Sequence, residues 1–323
     1  MRPGRARLAA LPLAALLGFG VWKAHAVAWE LTDPPFYTPQ PLARVEATYA
    51  DLARGGAGDP GGRWSSREVG GLQLWALRRP TPSRALVLLL HGFGDDRWGT
   101  SPALRWFPDC DAAIFTYLRR DDALRRGSRR PFITFGARES DEVVAIVHAL
   151  EAEGWARDRI LLMGRSLGAS VGLMAVAKLE AEGRGPLAGL IWEGAPLGSR
   201  DFAERLVRGP QDRAWHVAAP AIGALAARWA AHRGGYRVEA TDPRRVLADR
   251  TLATPGLAFL ALQDRLAPAP GQRELMARFQ SLERVEADTW HLNCAPVLGE
   301  AYDAHIRAFT KRVLDGKGGP KAP

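Results

Sequence analysis

The stretch Ile160-Leu-Leu-Met-Gly-Arg-Ser-Leu-Gly168 decides the fold class of this chain. Its leading apolar residues predict a buried strand, and the small residues that follow it predict a helix lying close to a sheet. The glycines suit a tight strand-to-helix turn, because side chains at those positions would collide with the adjoining strand and helix. A serine in such a turn presents its hydroxyl at the edge of the sheet. We therefore interpret Ser166 as a nucleophile rather than as a helix-capping serine.

Short apolar runs alternate with amphipathic stretches on both sides of this turn. The further predicted strands are 85–90, 112–117, 190–192, 257–262 and 284–290. This alternation is typical of an α/β fold with a mostly parallel central sheet flanked by helices. The interval before the strand at 257 is too long for a bare loop, so we predict a helical lid insertion over about residues 197–250. Pro220 is expected to open one of its helices.

A serine hydroxyl near its ordinary pKa is a weak nucleophile, so it needs a base to take its proton and a carboxylate to orient that base. His291 directly follows the last predicted strand and should lie at the same edge of the sheet as Ser166. Asp264 follows the preceding strand and is our candidate for the carboxylate. Glu193 and Asp288 remain alternatives for that role.

Acyl transfer also needs hydrogen-bond donors aimed at the oxyanion. The segment His91-Gly-Phe-Gly94 directly follows a predicted strand, and its glycines free the backbone to turn its N–H groups toward the site. We therefore assign the oxyanion donors to the amides of Phe93 and Leu167. His91 itself is expected to brace this loop rather than to transfer protons.

These motifs, together with Gln263-Asp-Arg-Leu-Ala-Pro268 and Trp290-His291, resemble the α/β-hydrolase superfamily in sequence and order. The serine turn and Phe135-Gly-Ala-Arg-Glu139 are similar to its serine aminopeptidase-like branch, in which an N-terminal membrane segment is common. The resemblance covers about residues 72–314. It implies the α/β-hydrolase fold and a Ser–His–Asp hydrolase that uses no cofactor and no metal.

Residues 1–29 are predicted to be a signal peptide or a membrane anchor. Arginines near the start precede the apolar run 8–22, and Ala24-His-Ala26 is typical of a cleavage site. An anchor over residues 8–28 would lie in the inner membrane, and in either case the rest of the chain would be exported to the periplasmic or extracellular face. A buried N-terminal helix is the alternative, which we disfavour because the segment lacks a polar face.

Beyond this segment, composition predicts the organisation of the chain. Residues 30–63 are rich in proline and glycine and predict a linker with one short helix near 42–53. Residues 64–316 are predicted to form the α/β-hydrolase domain, and residues 317–323 a disordered tail. The arginine-rich stretch 119–130 is interpreted as a solvated surface loop.

Overall composition excludes several classes of protein. The chain has 44 Lys and Arg against 35 Asp and Glu, a formal charge of +9, but no nucleic-acid-binding motif accompanies this excess, so we expect no nucleic-acid partner. With only Cys110 and Cys294, a disulfide scaffold and a cysteine-based zinc site are excluded. We predict that these two lie at opposite edges of the sheet and form no disulfide.

Together these features predict a serine hydrolase that acts on a small-molecule acyl substrate. The bond cleaved would be a carboxylic ester, a thioester or a small amide, through an acyl-enzyme. A serine aminopeptidase-like peptidase and a non-catalytic binding protein of the same fold are the alternatives. Ester cleavage is favoured over aminopeptidase action because the sequence indicates no acidic pocket for a substrate amine.

Overall fold

The computed structural model describes residues 3–32, 62–118, 133–209 and 216–315. The predicted short helix at 42–53, the arginine-rich stretch 119–130 and the tail 317–323 lie outside the described residues. Nearly all of the predicted hydrolase domain lies within them.

The sheet contains eight strands in the order β1-β2-β4-β3-β5-β6-β7-β8. Their bounds are β1 (Arg63–Val69), β2 (Leu72–Arg78), β3 (Leu86–Leu90), β4 (Asp111–Ile114), β5 (Ile160–Arg165), β6 (Gly189–Glu193), β7 (Gly256–Ala261) and β8 (Leu282–Ala287). β2 runs antiparallel to both of its neighbours, and every other neighbouring pair is parallel. The predicted mostly parallel sheet is confirmed.

Helices follow the strands and cover the sheet. The longer ones are α1 (Pro3–Thr32), α2 (Glu139–Ala152), α3 (Leu167–Ala181), α4 (Ser199–Arg208), α5 (Ala219–Gly234), α6 (Ala269–Met276) and α7 (Glu300–Asp315). Shorter helical segments lie at Arg97–Thr100, Ser101–Trp106, Arg157–Arg159, Val238–Thr241, Pro243–Val246 and Cys294–Leu298.

Both faces of the central strands are buried, each in its own apolar core. On one face, Leu88 and Leu162 pack in a core that includes residues of α2, α3 and the 197–250 region. On the other face, Leu89 and Met163 pack in a core that includes residues of α7 and the segment Ser101–Trp106. This two-sided burial explains why β3 and β5 are almost unbroken apolar runs rather than alternating ones.

Two strands end three residues earlier than predicted. β4 ends at Ile114 instead of residue 117, because the next residues form hydrogen bonds outside the sheet. The Thr116 hydroxyl accepts from the Arg97 amide, and the Tyr117 amide donates to the His91 ring. β8 ends at Ala287 instead of residue 290, since the Thr289 amide folds back onto the Ala287 carbonyl at 2.9 Å.

The predicted helical insertion between β6 and β7 is present. It contains α4, α5 and the short segments before β7, and Pro220 lies in the first turn of α5 as expected. Ile222 of α5 is buried, and Leu225 and Trp229 pack against the same core. The insertion shares one apolar core with α3, so it lies on the same face of the sheet as that helix.

The N-terminal segment forms a single helix that extends past the predicted boundary at residue 29 to Thr32. Ala24, Val27, Ala28 and Leu31 are buried, in contact with α5 and α4. The disfavoured alternative, a buried N-terminal helix, therefore describes this half of α1. A polar face is not required for that burial, because small residues allow α1 to lie close to the alanine-rich α5.

The same helix also exposes apolar side chains. Leu17, Val21 and Trp22 are 63%, 51% and 59% exposed. In the part of the chain that the structure describes, no helix combines the length and apolarity that crossing a bilayer requires.

Candidate active site

The turn between β5 and α3 holds Ser166 in a rare backbone conformation. Its φ and ψ are +52° and −124°, and its amide donates to the Glu193 carbonyl at 2.9 Å. A Cβ at Gly164 would lie 2.2 Å from the Gly168 carbonyl oxygen, and one at Gly168 would lie 2.2 Å from that of Leu90. Only glycine fits at either position, so the sequence pattern follows directly from the close approach of strand, turn and helix.

The structure brings Ser166, His291 and Asp264 into one hydrogen-bonded chain. The Ser166 Oγ lies 3.0 Å from His291 Nε2, and His291 Nδ1 lies 2.7 Å from Asp264 Oδ2. The Ser166 and Asp264 residues are 7% and 5% exposed, whereas the His291 side chain is 18% exposed. With the Nδ1–H donating to the carboxylate, Nε2 is left as the acceptor for the serine proton.

The second carboxylate oxygen of Asp264 is held by the backbone. Its Oδ1 accepts from the amides of Leu266 and Ala267, each at 2.8 Å. Two fixed amide donors stabilise a carboxylate and fix its orientation. The carboxylate plane is therefore set before it meets the histidine ring.

The alternative carboxylates bind other partners. Asp288 is exposed and accepts from the Gln263 side-chain amide at 2.8 Å. Glu193 is buried, and its oxygens accept from Arg165, the Cys294 amide and the Tyr302 hydroxyl. The carboxylate in contact with His291 is that of Asp264.

The predicted oxyanion donors border the serine. Leu167 is the first residue of α3, so its N–H has no partner one turn earlier in the helix. A Cβ at Gly92 would lie 3.6 Å from the Ser166 Cβ, so the loop that carries Phe93 passes directly beside Ser166. The helix N-terminus adds a partial positive charge at the same place.

His91 lies within this loop and is engaged on both ring nitrogens. Its Nδ1 donates to the Gly92 carbonyl at 2.9 Å, and its Nε2 accepts from the Tyr117 amide at 3.2 Å. The ring also packs on Tyr117, with centroids 4.1 Å apart, and the residue is 1% exposed. These contacts fit the bracing role expected for His91.

Sequence reasoning missed an aromatic cluster beside the predicted oxyanion loop. The ring centroids of Phe93, Phe135 and Phe202 lie 5.2–5.3 Å apart. Phe202 comes from α4, so the insertion touches the loop that carries the predicted oxyanion donor Phe93. Phe93 and Phe135 stood in the quoted motifs, but nothing in the sequence linked them to Phe202.

Gly194 is a second residue that sequence reasoning missed. It follows β6 with φ of +64°, and a Cβ there would lie 3.0 Å from His291 Nδ1 and 3.3 Å from Asp264 Oδ2. The histidine and aspartate can meet because this position carries no side chain. A glycine directly after a predicted central strand was the available signal.

Across residues 3–32, 62–118, 133–209 and 216–315, no group of three or more His, Cys, Asp or Glu side chains is arranged to hold a metal ion.

Comparison with solved structures identifies proteins of similar fold. Esterase Pf2001 of Pyrococcus furiosus matches with a TM-score of 0.58 at 15% identity, covering 79% of this chain and 95% of that one. An esterase/lipase from an uncultured bacterium matches with a TM-score of 0.57 at 19% identity, covering 92% and 99%. A bacterial heroin esterase matches with a TM-score of 0.58 at 19% identity, covering 84% and 92%. No protein-family model and no curated protein matches the chain.

Proposed function

We propose that this chain, whose fold is that of the α/β hydrolases, is a serine hydrolase that cleaves carboxylic esters. The observation that carries the proposal is the chain of contacts from Ser166 Oγ to His291 to Asp264, at 3.0 and 2.7 Å. The similar folds include several proteins named as esterases, which supports ester cleavage over other acyl transfers. Thioesters and small amides share the same chemistry.

The proposed reaction begins with attack on the substrate carbonyl. Ser166 Oγ bonds to the carbonyl carbon while its proton passes to His291 Nε2, and Asp264 stabilises the resulting imidazolium. The amides of Phe93 and Leu167 receive the negative charge that forms on the carbonyl oxygen. The carbon–oxygen bond to the alcohol then breaks, and the alcohol leaves with the proton from His291.

The acyl-enzyme is then hydrolysed by the same groups. His291 takes a proton from water, and the resulting hydroxyl attacks the acyl carbon. A second tetrahedral intermediate collapses, the acid leaves, and Ser166 recovers its proton. The partial exposure of the His291 ring supports access for this water.

A fluorophosphonate probe tests the proposal directly. We expect the protein to be labelled and to hydrolyse p-nitrophenyl esters, and Ser166→Ala to lose labelling and at least about 10⁴-fold in kcat. Ser170→Ala is the control, because that buried hydroxyl lies one turn further along α3 and binds the Pro196 carbonyl. A folded protein without labelling or turnover would instead favour the non-catalytic alternative.

The substrate class is tested with a matched panel. p-Nitrophenyl esters of graded acyl length are compared with aminoacyl anilides, and we expect higher kcat/KM for the esters. Faster cleavage of the anilides would favour the aminopeptidase-like alternative. Membership of the serine aminopeptidase-like branch stays a prediction.

We further propose that the chain is exported to the periplasmic or extracellular face and associates with the membrane through its N-terminal segment. The exposed apolar residues Leu17, Val21 and Trp22 of α1 support membrane association. Fractionation of cells that express the full chain, followed by a salt wash of the membranes, tests it. Recovery of all the protein in the cytoplasmic fraction would contradict it.

A further inference from the structure

We propose that Arg165 and Glu193 act as a positioning pair that holds the loop of His291 against Ser166. The inference rests on the proposed function, because the histidine is positioned for that reaction. Among the residues that the structure describes, the partners of the two side chains do not include the Ser166 hydroxyl. We therefore expect the pair to act on the reaction through the histidine loop.

Arg165 binds this loop at one point. Its Nη2 donates to the Leu292 carbonyl at 2.8 Å, and its Nε donates to Glu193 Oε2 at 3.2 Å. Leu292 directly follows His291 and has a φ of +56°, which is unfavourable for residues other than glycine. A conformation of this kind persists only where surrounding contacts hold it. The guanidinium supplies such a contact.

Glu193 binds the same loop at a second point. Its Oε1 accepts from the Cys294 amide at 2.9 Å, and its Oε2 also accepts from the Tyr302 hydroxyl at 3.2 Å. The residue is 1% exposed, so its charge is compensated by these donors and by Arg165 rather than by water. The loop is therefore tied on both sides of Leu292.

The pair also reaches the nucleophile turn. Arg165 directly precedes Ser166, and the Glu193 backbone carbonyl accepts from the Ser166 amide at 2.9 Å. One glutamate thus binds the nucleophile turn through its backbone and the histidine loop through its side chain. The separation of Ser166 Oγ and His291 Nε2 depends on both attachments.

Stability alone does not explain this ion pair, in which Glu193 is buried and the Arg165 side chain is 35% exposed. A partly exposed ion pair contributes little to folding, because solvent screens the attraction and the cost of burying the carboxylate offsets it. Fixing a geometry is a better-attested use, and errors of about 1 Å in a reacting geometry can lower a rate about 100-fold. We therefore assign the pair to the geometry of catalysis.

Conservative substitutions test this role. Arg165→Lys retains the charge but cannot reach both acceptors in a planar fork, and Glu193→Gln retains an acceptor for Cys294 but loses the charge. We expect each to lower kcat about 10- to 100-fold while KM stays within about twofold, because ground-state binding does not use the histidine. We expect no recovery of kcat when Arg165→Lys and Glu193→Gln are combined, because both contacts to the histidine loop would then be weakened.

Arg157→Lys is the matched control. Arg157 forms an ion pair with Glu151 and accepts the same kind of substitution, but it lies in the segment that directly precedes β5, at the opposite edge of the sheet from the Ser166 turn that follows this strand. We expect its variant to lose stability while kcat stays within about twofold of the wild type. Equal loss of kcat in Arg157→Lys and Arg165→Lys would overturn the positioning role.

An activity-independent readout separates this inference from the proposed function. The proton on His291 Nδ1 should give a downfield NMR resonance in the wild type, because it is held in a 2.7 Å hydrogen bond to Asp264. We expect that resonance to broaden or vanish in Arg165→Lys and Glu193→Gln and to persist in Arg157→Lys. Its retention in both site variants, with unchanged kcat, would overturn the inference.

The outcomes remain distinguishable in the less favourable cases. If the wild type neither hydrolyses esters nor reacts with the fluorophosphonate, the proposed function fails, and the resonance still reports whether the pair positions His291. If Arg165→Lys does not fold, Tyr302→Phe removes a neutral donor to Glu193 and is expected to lower kcat by a smaller factor than Glu193→Gln. An unchanged kcat in both Tyr302→Phe and Glu193→Gln would contradict the positioning role.

Discussion

At the scale of single residues, the space beside His291 and Asp264 is controlled by Gly194. A Cβ at Gly194 would lie 3.0 Å from His291 Nδ1 and 3.3 Å from Asp264 Oδ2, the two atoms that join these side chains. Catalysis by such a triad depends on distances held within fractions of an ångström. Gly194 is therefore a site where a single methyl group is expected to lower kcat in addition to its effect on folding.

Gly194→Ala is expected to lower kcat about 10- to 100-fold by pushing the imidazole away from Asp264. Gly183→Ala is the control, because its φ of +71° resembles the +64° of Gly194 but a Cβ there meets nothing within 4 Å. Both variants should lose about 1 kcal/mol of stability from backbone strain. Steady-state kinetics alongside urea unfolding separate the two effects, and equal kinetics in both variants would contradict the prediction.

Asp264→Asn is expected to reduce kcat by about 10⁴-fold, because an amide favours the wrong tautomer of His291 and cannot stabilise the imidazolium. Asp288→Asn should leave kcat unchanged, since that exposed carboxylate binds Gln263 instead. Both are measured on the same p-nitrophenyl ester. A small effect of Asp264→Asn would indicate that another acid supports the histidine.

The sequence could predict Ser166, Asp264 and His291 because each follows a strand, and parallel strands end at one edge of a sheet. It favoured Asp264 but left Glu193 and Asp288 as alternatives, since all three lie at or near strand ends. The choice depends on the direction in which each loop leaves the sheet. The contacts of Arg165 and Gly194 were missed for the same reason, because they join residues between 28 and 127 positions apart in the sequence.

At the scale of elements, α1 and the insertion form one packed unit. Ala24 and Ala28 lie against α5, the Arg233 guanidinium lies 3.4 Å from the centroid of the Trp29 ring, and the His25 ring meets Trp229 edge-on. α4 in turn carries Phe202 to the predicted oxyanion loop. The N-terminal helix is thereby connected to the site through two layers of packing.

Two leucines on α1 test this packing. Leu31 is fully buried and Leu17 is 63% exposed, so Leu31→Ala should cost about 3 kcal/mol of unfolding free energy and Leu17→Ala less than about 0.5 kcal/mol. Urea unfolding of the full chain measures both, with hydrogen exchange of α5 amides as a local readout. Equal values would mean that α1 does not pack on the insertion in solution.

The apolar pattern of the sequence predicted strand positions correctly where both faces of a strand are buried, as in β3, β5 and β7. The prediction failed where local hydrogen bonds overrode the apolar pattern, as after Ile114, where Tyr117 binds His91 instead of continuing the strand. The apolar pattern of α1 was compatible with a membrane, a signal or a protein core. The partners of its buried face, α5 and α4, are distant in sequence, so the pattern of α1 alone could not reveal them.

At the scale of the whole molecule, one partly buried carboxyl couples folding to pH. Burial and the neighbouring Glu139 raise the pKa of Glu142 from 4.5 to about 8, although the Leu118 amide donates to it. The folded chain then holds a proton that the unfolded chain releases near pH 4.5. The contribution of this group to stability is therefore full below pH 4.5, falls as pH rises toward 8, and levels off above that.

Glu142→Gln is expected to flatten this dependence and to make the variant more stable than the wild type at pH 8. The amide keeps an acceptor for Leu118, and the slope removed can reach about 1.4 kcal/mol per pH unit. Glu274→Gln, an exposed residue with a side chain 62% accessible, should leave the slope unchanged. Urea unfolding between pH 5 and 9 measures all three proteins, and parallel curves for wild type and Glu142→Gln would contradict the prediction.

The triplet Ala24-His-Ala26 lies inside the continuous helix α1, with Ala24 fully buried against its neighbours. A processing peptidase needs locally unfolded backbone, so it can cut there only before α1 docks or after it detaches. A molecule that has lost residues 1–26 therefore no longer has an intact α1 to brace the insertion. The mass of the purified protein would consequently report whether α1 still braces the insertion.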